Sequence, residues 1–505
     1  MFRLRIFISS IFLTVIVLTT GVVAGDRSEF EKWMNQETKS YQEYRDKRDK
    51  EFTSFLKNQW KEMQTYQGLV RDKAPKPVKM PVAPKPKPKP VVKIKPELPG
   101  TDKKPVAIKV PPQPVVKVPL IKPVPKPVKI IPIPVIKLPK GKAVEIVFYG
   151  QKLKFTYDPK LYARLALRIN EKAMSSYWSA LSKADYEPLL KQINAQRKPL
   201  NLNDWGYALL INEIAKAIYP RRRSEQSLFT WFILVKAGYQ ARIAYDSRQV
   251  FLLLPSRQQL FAAPYFTFDK VRYYALGFDG KKQKPGKVFT YDGQYPGATK
   301  RLDMSLSRAL NTGRSEKKKI LAFKFQGKTY RIGTAYDSQT VNFLKTYPQM
   351  DIGMYFGATV NSSTGNPILN QLKPLVEGKS EQEAVNLLLR FVQTSFEYKT
   401  DEGQFGVENY LFPEETLFYP YSDCEDRAIF FAWLVHNLVG LEVVGLDYPG
   451  HISAAVRFNE KVKGDAFRNN GKRYVITDPT YINANAGMTM PQYKNKKPGV
   501  IRITF

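Results

Sequence analysis

Three residues near the C-terminal end of this 505-residue chain can together carry out nucleophilic chemistry. Cys424 is the only cysteine, and His451 is one of two histidines. Asp478 follows His451 by 27 residues, and Cys424 precedes it by the same distance, so only tertiary folding can bring the three together. A thiol, an imidazole and a carboxylate suit a nucleophile, a general base and a group that orients the base.

Cys424 stands just before an apolar run, residues 428–438, that predicts a helix. A thiol at a helix N-terminus faces unpaired backbone N–H groups and the positive end of the helix dipole, which favour its thiolate form. Asp423, Glu425 and Asp426 lie in the same capping region and oppose that effect. The competing interpretation is an inert buried cysteine, the common state of a lone thiol.

His451 and Asp478 are expected on two neighbouring strands. His451 opens the run 452–458, which predicts a strand, and a second predicted strand, 473–477, ends at Asp478 before a proline. Proline stops strand pairing and so fixes the carboxylate at the strand end. If the two strands pair antiparallel, with residues 459–471 as their connection, the carboxylate can orient the imidazole that removes the thiol proton.

Neither a metal nor another cofactor is expected at this site. One cysteine and two separated histidines cannot supply the usual zinc ligands. The second histidine, His436, lies mid-helix among Leu434, Val435 and Leu438, so a structural role is predicted for it.

The helix beginning SDCEDRA, the Gly-His pair that opens a strand and the strand ending in Asp-Pro-Thr resemble the transglutaminase-like superfamily of papain-type cysteine enzymes. The resemblance covers roughly residues 375–485. It implies that Cys424 is the nucleophile, His451 the general base and then acid, and Asp478 the orienting group. It also implies an acyl-thioester intermediate, which water resolves in a protease or amidase and an amine resolves in a cross-linking enzyme.

The same resemblance implies an oxyanion hole to which the backbone N–H of Cys424 contributes. The family often adds a side-chain donor upstream, and Tyr421 or Tyr419 can supply it here. This chain has Ser422-Asp423 where the family commonly has glycine before the turn that contains the cysteine. That departure leaves the nucleophile in place and affects the geometry of the entrance.

Residues from about 143 onward repeat one pattern twice. FTWFILVKAG at 229–238 aligns with FAWLVHNLVG at 431–440 at a constant offset of 202 residues, and the alignment continues without a gap to Gln249 opposite His451. Two further pairs match upstream, a hairpin-like segment and a predicted helix. They are 144–157 with 320–332 and 204–219 with 380–398. Self-similarity at a fixed offset predicts a duplicated structural unit.

We therefore predict two tandem α+β domains, residues 143–285 and 319–505, each with helices packed on an antiparallel sheet. The second has the transglutaminase-like pattern. The first lacks the chemistry, because Arg222, Gln249 and Gly277 align with the cysteine, the histidine and the aspartate. It is predicted to be a degenerate copy that binds or packs.

The first 24 residues predict export. A basic start is followed by an apolar, uncharged run from residue 6 to 24, which is typical of a signal peptide cleaved after Ala24 or of a retained membrane anchor. The basic flank keeps the N-terminus cytoplasmic, so the remainder is expected in the periplasm of a bacterial envelope, free or anchored to the inner membrane.

A basic, proline-rich segment is predicted to be an extended linker. Residues 71–142 hold 20 of the 37 prolines and 19 Lys and Arg against 3 Asp and Glu, which is about +16 of the formal net charge of +35. Repeated X-Pro steps favour polyproline II. The linker is a solvated spacer or a segment that binds an anionic envelope polymer or membrane surface. Nucleic acid is disfavoured by the export signal and the lack of a base-reading motif.

An amphipathic helix with an 11-residue repeat is predicted over residues 27–70. The two rows are Phe30, Tyr41, Phe52 and Met63, and Trp33, Tyr44, Phe55 and Tyr66. Eleven residues make three helical turns, so the rows form one stripe. The stripe either packs on its own protein or mediates self-association or lipid contact.

Together these features predict an exported cysteine hydrolase, a protease or amidase acting on a protein or peptide substrate through peptide or isopeptide bonds. Two alternatives stay open. One is a non-enzymatic envelope scaffold with the same fold, because much of the chain carries no chemistry. The other is a transamidase that cross-links proteins.

Overall fold

The computed structural model describes residues 24–70, 76–84, 138–280 and 283–504. Most of the predicted export segment and most of the predicted linker lie outside these ranges. The chain divides after Phe52 into two compact units, Met1–Phe52 and Thr53–Phe505. Within the described ranges, no helix combines the length and the apolar character needed to cross a bilayer.

Helix α1, Ala24–Asn58, carries part of the predicted aromatic rows. Phe30, Trp33, Tyr41 and Tyr44 each keep more than half of their surface exposed. These four residues form the exposed part of the predicted stripe, whereas Phe52 of the same row is buried.

The prediction that one helix covers 27–70 is wrong at its C-terminal end, because α1 ends at Asn58. Strand β1, Trp60–Gln64, follows and pairs antiparallel with the later strand Lys287–Tyr291. Met63 packs against the core of that sheet. Backbone pairing and side-chain burial at a sheet edge outweigh the helical spacing of these residues, which local sequence cannot reveal.

The first repeat begins with a hairpin and continues through helices into a sheet. The hairpin is β2 (Lys142–Phe148) and β3 (Gln151–Tyr157); the helices are α2 (Glu171–Ser182), α3 (Glu187–Gln196), α4 (Asp204–Ile218) and α5 (Arg223–Lys236); the strands are β4 (Arg242–Tyr245), β5 (Val250–Pro255), β6 (Tyr265–Phe268), β7 (Val271–Ala275) and β8 (Lys287–Tyr291). The predicted boundary at 285 was too early, because β8 belongs to this sheet.

The second repeat follows the same plan with more helices between hairpin and sheet. The hairpin is β9 (Glu316–Phe325) and β10 (Lys328–Asp337); next come α6 (Ser338–Leu344), α7 (Gly353–Phe356), α8 (Ser362–Val376), α9 (Glu381–Ser395), β11 (Glu397–Tyr398), α10 (Asp401–Phe405), α11 (Pro413–Phe418), β12 (Tyr421–Ser422) and α12 (Cys424–Val439); the sheet contains β13 (Glu442–Tyr448), β14 (His451–Arg457), β15 (Ala466–Asn469), β16 (Lys472–Thr477) and β17 (Gly499–Arg502). The predicted connection 459–471 is not all loop, because it contains β15.

The two large sheets have the same strand order. The first runs β8-β4-β5-β7-β6, with β1 added outside β8, and the second runs β17-β13-β14-β16-β15. Every pairing in both sheets is antiparallel. Apart from β1, each strand of the first sheet therefore has a counterpart at the same position in the second, from β4 and β13, which follow the helix, to β8 and β17, which end the repeats.

The pairing register repeats as well. Arg242 faces Leu253 across β4 and β5, and Val444 faces Ala455 across β13 and β14, each residue displaced by the same 202 positions. Because a slip of one residue would turn every side chain to the other face, a shared register places equivalent residues on equivalent faces. The duplication inferred from sequence thus extends to the hydrogen-bonded pairing.

Both hairpins turn through two residues with positive φ. Tyr149 and Gly150 have φ of 45° and 81°, and Gln326 and Gly327 have φ of 48° and 78°. Left-handed conformation at both central residues is the type I′ arrangement that matches strand twist, which explains the glycine at the second position.

A short stretch of the predicted linker, residues 76–84, docks on the second repeat. Ala83 donates its N–H to the carbonyl of Ile482 at 2.8 Å, and Ile482 donates back to Pro81 at 3.0 Å. The hydroxyl of Tyr398 donates to the carbonyl of Pro77 at 2.7 Å. We call residues 76–84 the docked segment. The sequence predicts a solvated spacer or a segment bound to an anionic envelope surface, so packing on the protein's own second repeat is a correction for these residues.

The second compact unit thus mixes helices with antiparallel sheets, as an α+β fold requires. In each repeat the helix before the sheet packs on the two central strands, α5 on β4 and β5 and α12 on β13 and β14. The helix that begins at Cys424 and the strand that begins at His451 are therefore in direct contact.

Candidate active site

The first turn of α12 positions Cys424. Asp423 is the N-cap residue, and its backbone N–H donates to the Asp426 carboxylate at 3.2 Å. The helix therefore begins at Cys424, four residues before the predicted apolar run. Cys424 is fully buried, and the capping residues that satisfy the helix end place carboxylates on both sides of the thiol.

The Cys424 thiol donates a hydrogen bond to Oε2 of Glu425 at 2.9 Å. Burial raises the pKa of this thiol well above its ordinary value, and the carboxylates of Glu425 and Asp423 raise it further, whereas Lys76 lowers it. The thiolate expected from the helix dipole is therefore not favoured in this arrangement. Desolvation and two nearby anions outweigh the helix terminus.

His451 and Asp478 lie together, as the paired strands predict. Nε2 of His451 is 2.8 Å from Oδ2 of Asp478, and β14 pairs antiparallel with β16. Oδ1 of Asp478 accepts the Thr480 N–H at 2.9 Å, which fixes the carboxylate. Because an ionised carboxylate only accepts, Nε2 carries the proton and Nδ1 is left as the basic nitrogen.

Nδ1 of His451 is buried and has no hydrogen-bond partner among the described residues. The ring stacks on Tyr493, with 5.0 Å between centroids, and Tyr448 stacks on it at 6.4 Å. This aromatic contact and the Asp478 bond hold the imidazole in one orientation. A nitrogen with this geometry is available as a proton acceptor.

Among the described residues there is no direct bond between the Cys424 thiol and the His451 imidazole. Helix α12 packs on β14, the strand that begins with His451. Within the described residues, Cys424 gives its hydrogen bond to Glu425, and Nδ1 of His451 stays unpaired. The His451–Asp478 pair is therefore formed, and the thiol is bonded to a carboxylate.

Two buried polar side chains brace this region. Gln393 on α9 donates to the carbonyl of Asp478 at 3.0 Å and to that of Ala484 at 3.1 Å, which anchors the loop after β16. Arg427 donates to the carbonyls of Gln393 and Phe396 at 3.1 and 2.8 Å. A guanidinium at the end of α9 satisfies carbonyls that the helix leaves unpaired.

Tyr421, the predicted oxyanion donor, lies in β12 two residues before the N-cap of α12. Its ring faces the Lys399 ammonium at 5.2 Å. The alternative, Tyr419, packs edge-on against Phe405. Neither placement tests the oxyanion role, which remains a prediction. The Cys424 N–H lies in the first turn of α12, where backbone donors have no intrahelical acceptor.

Four carboxylates surround the ammonium of Lys76, which the docked segment inserts beside the thiol. Nζ lies 2.7 Å from Glu408, 2.8 Å from Asp423, 2.8 Å from Glu425 and 3.5 Å from Asp401. We call these four residues the carboxylate pocket. Burial lowers the pKa of Lys76, but Glu425 and Asp423 outweigh it and raise the pKa, so this lysine is charged.

The pocket has four carboxyl groups around the single ammonium of Lys76. Burial raises the pKa of Asp423 to about 7, with Glu425 adding to the rise and Lys76 opposing it. The pKa values of Asp401 and Asp426 are also raised well above the ordinary value, mainly by burial. Oxygens of Asp401, Asp423 and Asp426 lie close enough to share one cation, and the cation that bonds Asp401 and Asp423 here is Lys76.

The sequence does not predict that Lys76, Glu408 and Asp401 lie near the thiol, and it predicts Glu425 only as a residue of the capping region. Lys76 is one of many lysines in a low-complexity segment, and nothing in its local sequence distinguishes it. The contact with Asp423 spans 347 residues. Signals of this kind depend on tertiary folding, so no spacing rule finds them.

His436 was predicted to be structural, among apolar neighbours. It lies within α12, on the exposed side of the helix, at a cavity of about 550 Å³ that Trp433 and Asn437 also line. Partial burial lowers its pKa. None of the three predicted catalytic residues lines this cavity.

The first repeat supplies an internal comparison. Arg222 stands at the N-cap of α5, as Asp423 does for α12, and bonds Glu225 at 3.1 Å. Gln249 stands just before β5. The same helix and strands form there without the three reactive side chains, so the fold does not require them.

Comparisons of the chain with protein-family models, with curated proteins and with solved structures found no match.

Proposed function

We propose that the second repeat, residues 319–505, is an exported cysteine hydrolase of transglutaminase-like type that cleaves peptide or isopeptide bonds. The observation that carries this proposal is the buried His451–Asp478 pair at 2.8 Å with Nδ1 unpaired, on a strand that packs against the helix beginning with the only cysteine. An imidazole whose proton is fixed on the far nitrogen is poised to accept a proton.

The proposed reaction moves one proton in each half. Nδ1 of His451 takes the Cys424 proton, and the sulfur attacks the amide carbon. The Cys424 N–H stabilises the oxyanion. The imidazolium then protonates the leaving amine, which gives the acyl-thioester. Water attacks that thioester as His451 accepts its proton; the C–S bond breaks, the carboxylic acid leaves, and the imidazolium returns the proton to the Cys424 sulfur.

Acyl transfer onto Cys424 tests this proposal directly. Incubation with p-nitrophenyl acetate should place an acetyl group on Cys424, seen by intact mass, with continued release of nitrophenolate. We expect Cys424→Ala to abolish the adduct and His451→Gln to slow acylation. Both variants should be made in wild type and in Lys76→Ala, since Lys76 lies beside the thiol. Acylation of Cys424 no faster than that of a short cysteine peptide would contradict the proposal.

One observation favours a second candidate, a non-enzymatic binding domain. The Cys424 thiol is fully buried, donates to Glu425 and has a raised pKa. A scaffold needs no thiolate. Full function of Cys424→Ala in the cell, equal to wild type, would favour the scaffold over the enzyme.

Transamidation and envelope partners also remain proposals. A primary amine such as dansylcadaverine, offered with an acyl donor, separates amine transfer from hydrolysis.

The basic linker is proposed to contact an anionic envelope polymer or membrane surface, and the stripe on α1 to mediate self-association. Periplasmic location, free or anchored, is proposed from residues 1–24.

A further inference from the structure

Lys76 occupies the carboxylate pocket with the geometry of a bound ligand. A lysine ammonium has three N–H donors and no acceptor. Three pocket oxygens lie within 2.8 Å of Nζ, on Glu408, Asp423 and Glu425, and the fourth, on Asp401, lies at 3.5 Å. Donor number and close acceptor number therefore match for a primary ammonium.

The pocket is built for a cation and not for a neutral group. The side chains of Asp401, Asp423 and Glu425 are at most 5% exposed. Buried carboxylates without a counter-charge are costly, so an uncharged occupant would leave them to take up protons. The second oxygen of Asp423, Oδ1, is buried and has no partner among the described residues.

The pocket adjoins the nucleophile and opens toward solvent. Glu425 accepts Lys76 on Oε1 and the Cys424 thiol on Oε2, so one carboxylate separates the ammonium from the sulfur. Glu408 is 44% exposed and forms the outer edge. A chain of contacts thus joins the exposed Glu408 to Lys76, Lys76 to Glu425 and Glu425 to the Cys424 thiol.

From these contacts we infer that the carboxylate pocket is a substrate subsite for a primary ammonium group, and that Lys76 fills it as an internal competitor. The substrate class is a peptide that presents a lysine-type side chain or a free α-amine beside the scissile amide. This assignment to a substrate rests on the proposed hydrolase, whereas ammonium binding itself does not.

Because Cys424 is the only cysteine, the rate at which it is labelled by reagents of different charge reports on the neighbouring carboxylate pocket. Four methanethiosulfonates differ in the group that they deliver: aminoethyl, trimethylammonioethyl, methyl and sulfonatoethyl. In each, the Cys424 thiolate attacks the reagent sulfur, a mixed disulfide forms, methanesulfinate leaves and the thiol proton goes to solvent. Rates are divided by those of a short cysteine peptide, so the intrinsic reactivity of each reagent cancels. EDTA is present throughout.

We expect Lys76→Ala to label faster than wild type, with the aminoethyl reagent at least tenfold faster than the methyl reagent. The trimethylammonioethyl reagent, which has no N–H donor, should lose most of that advantage, and the sulfonatoethyl reagent should be slowest. Glu408→Gln added to Lys76→Ala should reduce the aminoethyl preference severalfold. Lys79→Ala is the matched control, because Lys79 is an exposed lysine of the same segment; it should behave as wild type.

Equal normalised rates for the four reagents in Lys76→Ala would overturn the inference. If that variant is too unstable to label, thermal unfolding decides: n-butylammonium should raise its midpoint in proportion to the logarithm of concentration, and n-butanol should not. No stabilisation by the ammonium would also overturn the inference. Failure of acylation with charge selectivity intact would reject the hydrolase alone, and acylation without charge selectivity would reject the subsite alone.

Discussion

At the residue scale, neighbouring side chains restrain both the His451 imidazole and the Cys424 thiol. Asp478 and two aromatic rings hold His451, while Glu425 holds the Cys424 proton and Lys76 holds Glu425. Side-chain chemistry here follows from partners supplied by distant parts of the chain. Two predictions test separately the role of the His451 imidazole and the effect of the Glu425 carboxylate on the thiol.

His451→Gln reproduces the residue that the first repeat has at the matching position, Gln249. We expect the variant to fold, because the equivalent strand forms with glutamine before it, and to lose acylation of Cys424 by about 10²-fold or more, the usual contribution of a general base. Acylation rates and far-UV circular dichroism check this. An unchanged acylation rate in a folded variant would remove His451 from the mechanism.

Burial raises the pKa of the Cys424 thiol most, and the negative charge of Glu425 is the next largest cause. Glu425→Gln removes that charge and should therefore lower the pKa of the thiol. Iodoacetamide labelling measured from pH 6 to 10 should shift its midpoint to lower pH. Greater access to the thiol would instead raise the rate equally at every pH. A midpoint at or above that of wild type would show that Glu425 does not oppose thiolate formation.

At the element scale, α11 places acidic side chains in the core of the second repeat. Glu414 is buried and accepts the Asn361 N–H at 2.6 Å. Burial raises its pKa to about 8, although that hydrogen bond lowers it. The folded protein therefore binds a proton that the unfolded chain releases between its ordinary pKa of 4.5 and about 8, so stability falls as pH rises through that window.

Glu414→Gln should weaken this pH dependence, because glutamine keeps the acceptor oxygen and cannot ionise. The slope removed is at most about 1.4 kcal/mol per pH unit for one group. Urea unfolding at pH 5, 7 and 8.5 measures it. Glu442→Gln is the control: its carboxylate bonds Tyr474 and has a pKa lowered to about 2, so its contribution is lost only as pH falls below the ordinary value of 4.5. Equal slopes in Glu414→Gln and wild type would contradict the prediction.

The structural elements also show where local pattern succeeds. The helices at 204–219 and 380–398, the strands at His451 and before Asp478, and both hairpins were predictable, because apolar periodicity and a positive-φ glycine are local properties. Strand β1 was not, since its strand form depends on pairing with β8, more than two hundred residues away.

At the scale of the whole molecule, the two repeats share one compact unit, Thr53–Phe505, instead of forming separate domains. Asn203 bonds the Tyr347 hydroxyl at 2.7 Å, and Trp205 bonds Thr346 at 3.0 Å, across the repeats. The degenerate copy is therefore expected to stabilise the copy that carries the cysteine.

Leu210→Ala tests this coupling. Leu210 is fully buried in α4 of the first repeat, and its truncation should cost about 2–5 kcal/mol. In urea, Cys424 in the second repeat should become reactive at a lower concentration than in wild type, together with the change in tryptophan fluorescence. Exposure of Cys424 at the wild-type midpoint would show that the repeats unfold independently.

The sequence by itself determined the duplication, the helix that begins near Cys424 and the antiparallel neighbours His451 and Asp478, because constant offsets, apolar periods and proline positions are written locally. Only the tertiary structure decided the state of the thiol. A pKa depends on every charge and every desolvating group within a few ångströms, and here those groups include Lys76, which lies 347 residues before the neighbouring Asp423. The spacing of Cys, His and Asp identifies candidates for a mechanism, whereas the packing of the whole second unit determines the environment in which that mechanism has to operate.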